Sequence, residues 1–177
     1  IGLSVGEPPA TRGYPPSVFA LLGRLLERAG TAESGSITGL YTVLVEGDDH
    51  NEPIADAVRS ILDGHVVLDR KLALAGHFPA IDVLASVSRV ASRVAAPENR
   101  AVAASLKKVL AARLSAQDLL DVGAYQPGSN PLVDAAVDNQ AEIARFLQQD
   151  MHDLTPQDEA WARLTAITRA FERAVAA

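Results

Sequence analysis

The sequence predicts an α/β fold for the first half of the chain, followed by an all-helical second half. Between residues 36 and 93, short apolar runs rich in β-branched residues alternate with short helical segments, which is typical of a wound α/β core. From about residue 95 onward, every long segment repeats apolar residues at helical spacing. Aromatic residues make up only 5% of the 177-residue chain, so the core must be aliphatic and alanine-rich, which also favours helices. We therefore expect two domains, residues 1–95 and 96–177.

The first half is expected to contain two helices, a short third helix and three strands. Glycine and proline leave no room for a regular element in residues 1–16. A helix begins near Pro16, because proline suits the first helical turn, and Gly30 is expected to cap its C-terminus. The run 36–45 is apolar at nearly every position of its second half, which favours a strand buried on both faces of a parallel sheet. The other predicted elements are a helix over 53–62, a strand over 65–68, a helix over 69–75 and a strand over 80–84.

The second half is expected to contain four helices. The first two cover 97–114 and 115–122, and Ser115 is expected to cap the second of them. A break at 123–128, with two glycines and a proline, follows. Asn130 and Pro131 suit the N-cap and the first position of a helix that continues to residue 147. The last helix runs from about residue 155 to residue 175.

Charge and composition exclude several classes of protein. The net charge is −6 and no block of basic residues is present, so a nucleic-acid partner is not expected. No apolar run approaches the roughly 20 residues of a membrane helix, and the first residues do not form a signal peptide. The absence of cysteine excludes disulfides and thiolate chemistry. We expect a cytosolic protein and, because its first residues resemble the middle of a sequence, a fragment of a longer chain.

No common short motif marks a catalytic site. The chain lacks the GxxxxGK[ST] phosphate loop, and no GxGxxG follows a strand. The motifs HExxH, CxxC and GxSxG are also absent. The four histidines lack the spacing of metal ligands on one helix, so they predict no metal site. Candidate residues must therefore be chosen by their positions relative to the strands.

Arg89 is the main candidate, because ligands in open α/β sheets bind beyond the carboxyl ends of the strands. It follows Ser86 and Ser88, in a small polar turn expected after the strand that ends at residue 84. Arginine offers a planar, permanently charged fork that binds phosphate oxygens through two hydrogen bonds. The alternative is a surface arginine in an ordinary ion pair.

Phe78 and Pro79 form a second candidate, in the turn before the last strand. An aromatic ring there can stack on a nucleotide base, and the alternative is a core phenylalanine. The pattern alone favours a core position for Met151. Weaker candidates for a phosphate or partner contact are Arg12, Glu46, Asp48 and Asp49. The three acidic residues would either order a loop against a basic partner or form a solvated turn.

Four stretches of the chain resemble one known family. They read GEPPATRGYPPSVFALLGRLLERAG, GSITGLYTVLVEGDDHNEPIADAVRSILDGHVVLDR, HFPAIDVLASVSR and GAYQPGSNP. Together they are similar to the rotary-type hexameric ATPases, and within these to the flagellar export ATPases. The last stretch resembles that branch more than the ATPases of injectisome type III secretion systems, which stay as the near alternative. The resemblance covers nearly the whole chain and weakens after about residue 150.

The resemblance implies the C-terminal half of a RecA-like P-loop NTPase core, followed by an all-helical C-terminal domain. The family assembles as homo-hexamers that bind ATP with Mg²⁺ between neighbouring subunits. The arginine finger of the family lies in the SVSR stretch, which makes Arg89 the finger for the neighbour's ATP. The aromatic residue that packs on adenine becomes Phe78, beside Pro79, and Met151 falls at a second adenine-side position. The family's phosphate loop, Mg²⁺-binding aspartate and catalytic glutamate are not in this chain, so we expect no hydrolysis by the chain alone.

The resemblance also implies a function and partners. The function is ATP hydrolysis that energises flagellar protein export. The partners are export stalk and regulator proteins, chaperone–cargo complexes and the export gate, with peripheral association at the inner face of the cytoplasmic membrane. Two alternatives stay open, a non-catalytic module that binds chaperones and cargo, and a regulatory nucleotide-binding ring subunit without turnover.

Overall fold

The computed structural model describes residues 6–8, 13–45, 47, 49 and 52–176, with side chains as far as residue 171. The chain divides into two compact units, residues 1–65 and 66–177. The domain boundary expected near residue 95 stays a prediction. In chain order the described elements are α1 (Pro16–Leu26), β1 (Gly30–Thr31), β2 (Ser36–Ile37), α2 (Pro53–Ile61), β3 (Gly64–Leu68), α3 (Arg70–Leu74), β4 (Ile81–Ser88), α4 (Ala91–Val94), α5 (Pro97–Ser115), α6 (Gln117–Asp121), α7 (Pro131–Asp138), α8 (Gln140–Leu147) and α9 (Gln157–Ala176).

Helix α1 begins at Pro16, as predicted, but ends earlier than expected. It stops at Leu26, where Glu27 closes the last turn with a backbone hydrogen bond of 3.0 Å to the carbonyl one turn back. The prediction that Gly30 caps this helix is therefore wrong. Gly30 instead opens β1 with a φ of 140°, a backbone conformation that glycine adopts without steric cost.

The strand predicted over 36–45 is wrong beyond Ile37. β1 and β2 form a short antiparallel hairpin, with Gly30 opposite Ile37, and residues 38–45 have no regular structure. Leu40 is 99% exposed and Leu44 is 90% exposed. A strand needs a neighbour for its backbone hydrogen bonds, and no strand in the described ranges pairs with this run. Its apolar, β-branched composition therefore does not produce a strand here.

Helix α2 confirms the helix predicted over 53–62. The Glu52 carboxylate caps its N-terminus by accepting the Ala55 amide at 3.3 Å, and Pro53 occupies the first helical position. Ala55 and Val58 are buried, and α2 packs against α1. These two helices hold the first unit together.

The second unit contains β4 and most of β3, which are hydrogen-bonded neighbours. At one end of the pair, the Asp69 amide donates to the Ala80 carbonyl at 2.8 Å. β4 continues to Ser88, well beyond the end predicted at residue 84. The expectation that Ser86 and Ser88 lie in a turn is wrong, because Ser86 is bound into the sheet. Its hydroxyl accepts the Val67 amide at 3.0 Å.

The core of the second unit lies between α5, α7 and α9, which pack against one another. Asn130 caps α7 by accepting the Leu132 amide at 3.0 Å, and Pro131 takes the first helical position, as predicted. The buried members of the core are aliphatic apart from Phe171, and the partly buried Phe146 and Trp161 pack against them. These buried members are Leu106, Val109, Ala135, Ala136, Ile143, Leu164 and Phe171.

Two predictions for this half are wrong because short polar side chains form local hydrogen bonds. Ser115 is the last residue of α5 and caps nothing, since its hydroxyl donates to the Ala111 carbonyl at 3.0 Å. The single helix predicted over 131–147 is broken into α7 and α8 at Asn139. The Asn139 side chain donates to the Ala135 carbonyl at 2.9 Å, a local bond that competes with continuation of a helix.

Candidate functional site

Arg89 lies directly after β4 and two residues before α4. Arg89 is exposed to solvent. The helix that follows is tied back to this link, because the Val94 amide donates to the Val90 carbonyl at 3.1 Å. Only two residues join strand and helix, so regular structure on both sides fixes the position of Arg89. Arg89 therefore lies beyond a strand end, which is where ligands of α/β sheets bind.

The turn that carries Phe78 joins α3 to β4. The His77 amide donates back to the Leu72 carbonyl at 2.9 Å, and Gly76 permits this reversal with a φ of 73°. The peptide bond between Phe78 and Pro79 is cis. Phe78 is 57% exposed, so it is not a core residue in this structure. Much of its ring is open to a ligand.

A loop after α8 lies beside this turn. The Gln149 amide donates to the Phe78 carbonyl at 3.0 Å, and the Gln148 side-chain nitrogen lies 3.4 Å from Nδ1 of His77. The Gln149 side chain also donates to the Asp153 carbonyl at 2.9 Å, which closes a loop around residue 151. The structure therefore joins two segments that are about 70 positions apart in the sequence. Neither glutamine carried a signal in the sequence that would have selected it.

Met151 lies in this closed loop and is 87% exposed. The core position that the pattern alone favoured for Met151 is therefore wrong. Because Gln149 holds the loop against the turn of Phe78, the two candidate adenine contacts belong to neighbouring segments. Both present apolar surface to solvent.

Arg89 and Phe78 lie beyond opposite ends of β4. Within β4 the chain bends, because the Ser86 hydroxyl donates to the Asp82 carbonyl at 2.5 Å and the Asp82 carboxylate accepts the Leu84 and Ala85 amides at 2.9 Å. The phosphate candidate and the base candidate are therefore separated along the chain by the residues of this strand.

The weaker candidates add little to this geometry. Arg12, Glu46 and Asp48 lie outside the described residues. Asp49 is partly buried, and its carbonyl accepts the Glu52 amide at 3.0 Å ahead of α2. Within the described ranges, no three histidine, aspartate or glutamate side chains are arranged to hold a metal ion. Among the helices in the same described ranges, none is long and apolar enough to cross a membrane.

The helical half carries an open groove between α5, α6 and the start of α7. Its volume is about 500 Å³, and Leu119, Tyr125 and Val133 are among the side chains that line it. The loop that forms one wall is fastened to α7 by Asp134. One carboxylate oxygen accepts the Tyr125 hydroxyl at 2.9 Å and the other accepts the Gly128 amide at 2.9 Å. The loop is therefore ordered by a side chain outside it.

Two family models match the chain. The nucleotide-binding domain of the ATP synthase alpha/beta family matches residues 1–88. The C-terminal domain of the EscN ATPase of type III secretion systems matches residues 95–166. The two matches follow one another along the chain and leave a gap of only a few residues.

Curated relatives are similar along almost all of this chain. The flagellum-specific ATP synthase of Bacillus subtilis is 49% identical over 168 residues, which is 95% of this chain and 38% of that protein. The type 3 secretion system ATPase of Pseudomonas syringae pv. syringae is 50% identical over 168 residues, which is 95% of this chain and 37% of that protein. The chain therefore spans less than two fifths of the length of these relatives.

Solved structures give the same result. The assembled ATPase EscN from the type III secretion system of enteropathogenic E. coli matches with a TM-score of 0.90 and 46% identity, over 94% of this chain and 40% of that chain. EscN in complex with its central stalk EscO matches with a TM-score of 0.83 and 44% identity, over the same shares of the two chains.

These likenesses confirm the predicted fold class, part of a RecA-like P-loop NTPase core followed by a helical C-terminal domain. They also confirm the family to which the sequence pointed, while the flagellar and injectisome relatives are almost equally similar. The chain belongs to the ATP synthase alpha/beta family and, within it, to the branch of the flagellum-specific ATP synthases and type III secretion ATPases.

Proposed function

We propose that this chain is the part of a protein-export ATPase that supplies the arginine finger, the adenine-side contacts and a helical domain for partners. The observation that carries the proposal is that Arg89 and Phe78 lie beyond opposite ends of β4 in a chain that belongs to this ATPase family. We infer that the two residues contribute to two different nucleotide sites. That arrangement fits a ring in which each ATP lies between neighbouring subunits.

Arg89 acts as the arginine finger, on ATP held by the neighbouring subunit. Charge develops on the oxygens of the phosphoryl group as it is transferred to water, and a guanidinium stabilises that charge without moving a proton. The exposure of Arg89 beyond a strand end supports this role, because the side chain can reach across an interface. A finger of this kind contributes roughly 10³–10⁵ to the rate of other phosphoryl-transfer enzymes.

Phe78, Pro79 and Met151 line the adenine side of the other site. The exposed ring of Phe78 stacks on the base, and the polarisable thioether of Met151 packs against the same apolar surface. The hydrogen bond from Gln149 to the Phe78 carbonyl supports this pairing, because it keeps the two segments together. Pro79 restricts the backbone that carries the ring.

The complete protein uses ATP with Mg²⁺ in this proposal. The nucleotide supplies the phosphoanhydride bond that is broken, and Mg²⁺ neutralises its phosphates. The residues described here do not fit a metal ion, and the sequence has no phosphate loop. We therefore expect the phosphate- and metal-binding residues in the rest of the complete protein, and no hydrolysis by this chain alone.

The proposed assembly is a homo-hexamer with a stalk protein at its centre. The assembled state of EscN and its complex with the stalk EscO support this by likeness. We further propose contacts with export regulators, with chaperone–cargo complexes and with the export gate, from a cytoplasmic position at the inner face of the membrane. The proposed boundary between the two domains near residue 95 is supported by the family models, which end at residue 88 and resume at residue 95.

Two readings of the export system remain candidates. Flagellar export is the first proposal, and a type III secretion injectisome is the second, because relatives from both systems reach about half identity. Restored motility after expression of the complete protein in a bacterium that lacks its flagellar ATPase would support the flagellar proposal. Restored effector secretion without motility would support the injectisome.

The proposal predicts that substitutions of Arg89 and Phe78 change different kinetic constants of the complete protein. Arg89→Ala should lower kcat by about 10³-fold or more with little change in KM for ATP, because the finger acts on the transition state. Phe78→Ala should raise KM with kcat nearly unchanged, because stacking on adenine is equal in the ground and transition states. Steady-state hydrolysis measures both constants, and Arg93→Ala, an exposed arginine of α4, is the matched control. Unchanged hydrolysis by Arg89→Ala would contradict the finger assignment.

A further inference from the structure

Two basic side chains of α5 hold the backbone on either side of Arg89. Nζ of Lys107 donates to the Ser86 carbonyl at 3.4 Å. Nη1 of Arg100 donates to the Ser92 carbonyl at 3.2 Å. Ser86 precedes Arg89 by three residues and Ser92 follows it by three. The link that carries Arg89 is thus bracketed by two contacts from one helix.

Helix α5, which carries both basic side chains, is held in place by its packing against the rest of the unit. Its core side chains Leu106 and Val109 are only 4% and 1% exposed, and it packs against α7 and α9 as well as against β4 and α4. Arg100 and Lys107 are seven positions apart, which is nearly two turns at 3.6 residues per turn. They therefore project from the same side of the helix and move with it as a pair.

The strand side of the bracket is fixed further by Ser86. Its hydroxyl accepts the Val67 amide at 3.0 Å and donates to the Asp82 carbonyl at 2.5 Å. Because the Ser86 hydroxyl makes both of these hydrogen bonds, the position of residue 86 is fixed. Its carbonyl can then accept from Lys107 in a defined position. Lys107 consequently links the end of β4 to the helical part of the unit.

We propose that Lys107 and Arg100 are positioning residues for Arg89, and that through them the helical part of the chain sets the alignment of Arg89. The inference rests on the proposed role of Arg89 as an arginine finger. Stabilisation of developing charge depends steeply on the placement of the donor. Loss of an anchor should therefore slow hydrolysis while nucleotide binding, which other residues provide, is unchanged.

Lys107→Met in the complete protein is the principal test. We expect kcat for ATP hydrolysis to fall about 10-fold, with KM for ATP and the midpoint of thermal unfolding unchanged. Lys107→Arg keeps a charged donor and should stay close to the wild-type kcat. Lys108→Met is the matched control, because Lys108 is the next lysine on the same helix, is exposed like Lys107, and should keep the wild-type kcat. Arg100→Met should lower kcat in the same way as Lys107→Met.

The outcomes separate this inference from the function on which it rests. If Arg89→Ala leaves hydrolysis intact, the finger assignment falls and the positioning role falls with it. If Arg89→Ala abolishes hydrolysis but Lys107→Met matches Lys108→Met, only the positioning role is overturned. A loss in Lys107→Met that is accompanied by a lower thermal midpoint and is not rescued by Lys107→Arg also overturns it, since general structural damage then explains the loss.

Discussion

Asp134 shows how one side chain orders a loop that contains no regular structure. Both of its carboxylate oxygens are used, one by the Tyr125 hydroxyl and the other by the Gly128 amide. Hydrogen bonds to a charged acceptor are stronger than those between neutral groups. The loop over 123–130 should therefore depend on this residue of α7 more than on its own side chains.

Asp134→Ala is expected to destabilise the chain by about 1–2 kcal/mol, because two hydrogen bonds to a charged group are lost. The free energy of unfolding from urea titrations measures this. Asp138→Ala removes an exposed carboxylate from the same helix and should change the stability by less than about 0.5 kcal/mol. Equal effects of the two substitutions would show that the contacts of Asp134 contribute nothing.

Local chemistry could be predicted for some residues but not for others. Asn130 was identified as a helix cap because cap, proline and apolar face lie next to one another in the sequence. Ser115 was assigned the same role wrongly, since a serine between two helical patterns can bond back into the first helix as readily as cap the second. Arg89 and Phe78 were selected by their positions near the ends of predicted strands, and Met151 by family resemblance. Gln149 was missed because its contact with Phe78 joins distant parts of the chain.

At the scale of elements, α5, α7 and α9 form the main core of the second unit. Phe171 of α9 is only 2% exposed and is among its largest buried side chains. Its neighbours in the core are mostly leucine, valine and alanine. A ring of this size cannot be replaced by the surrounding aliphatic side chains without leaving a cavity.

Phe171→Ala should therefore lower the free energy of unfolding by about 3–5 kcal/mol, the usual cost of removing a buried ring. Leu114→Ala is the control, because Leu114 lies on α5 but is 63% exposed. That substitution should cost less than about 1 kcal/mol. Denaturant unfolding of both variants gives the comparison, and similar losses would show that the core is centred elsewhere.

Helices were predicted better than strands, for a physical reason. A helix satisfies its backbone hydrogen bonds locally, so periodicity and caps are enough to locate α2, α5 and α7. A strand depends on a neighbour, so the strand predicted over 36–45 exists only at Ser36–Ile37, where a hairpin partner is present. β4 was predicted too short for the same reason, because its extent depends on contacts with β3, among them the Val67 amide that the Ser86 hydroxyl accepts.

At the scale of the whole molecule, the segment 38–45 exposes apolar side chains of the kind that a sheet buries. Relatives are more than twice as long as the chain. The exposed Leu40 and Leu44 are suited to the interior of a sheet. We propose that in the complete protein this segment pairs with a strand that the present chain does not contain.

Leu44→Ser should accordingly have different effects in the two settings. In the 177-residue chain the stability should change by less than about 0.5 kcal/mol, because Leu44 is already exposed. In the complete protein the free energy of unfolding should fall by more than about 2 kcal/mol, which is the free energy of transferring a leucine side chain out of a buried site. Parallel denaturant titrations of the two proteins test this. A small effect in both would show that Leu44 stays exposed after assembly of the sheet.

The same segment has a consequence for the chain when it is produced by itself. An exposed apolar run with strand propensity, which no described strand pairs with, is a template for addition of an identical strand. Two copies of the chain can therefore join edge to edge through residues 38–45. Concentrated solutions are expected to form aggregates whose growth begins there, and a single lysine in place of Leu40 should delay their appearance.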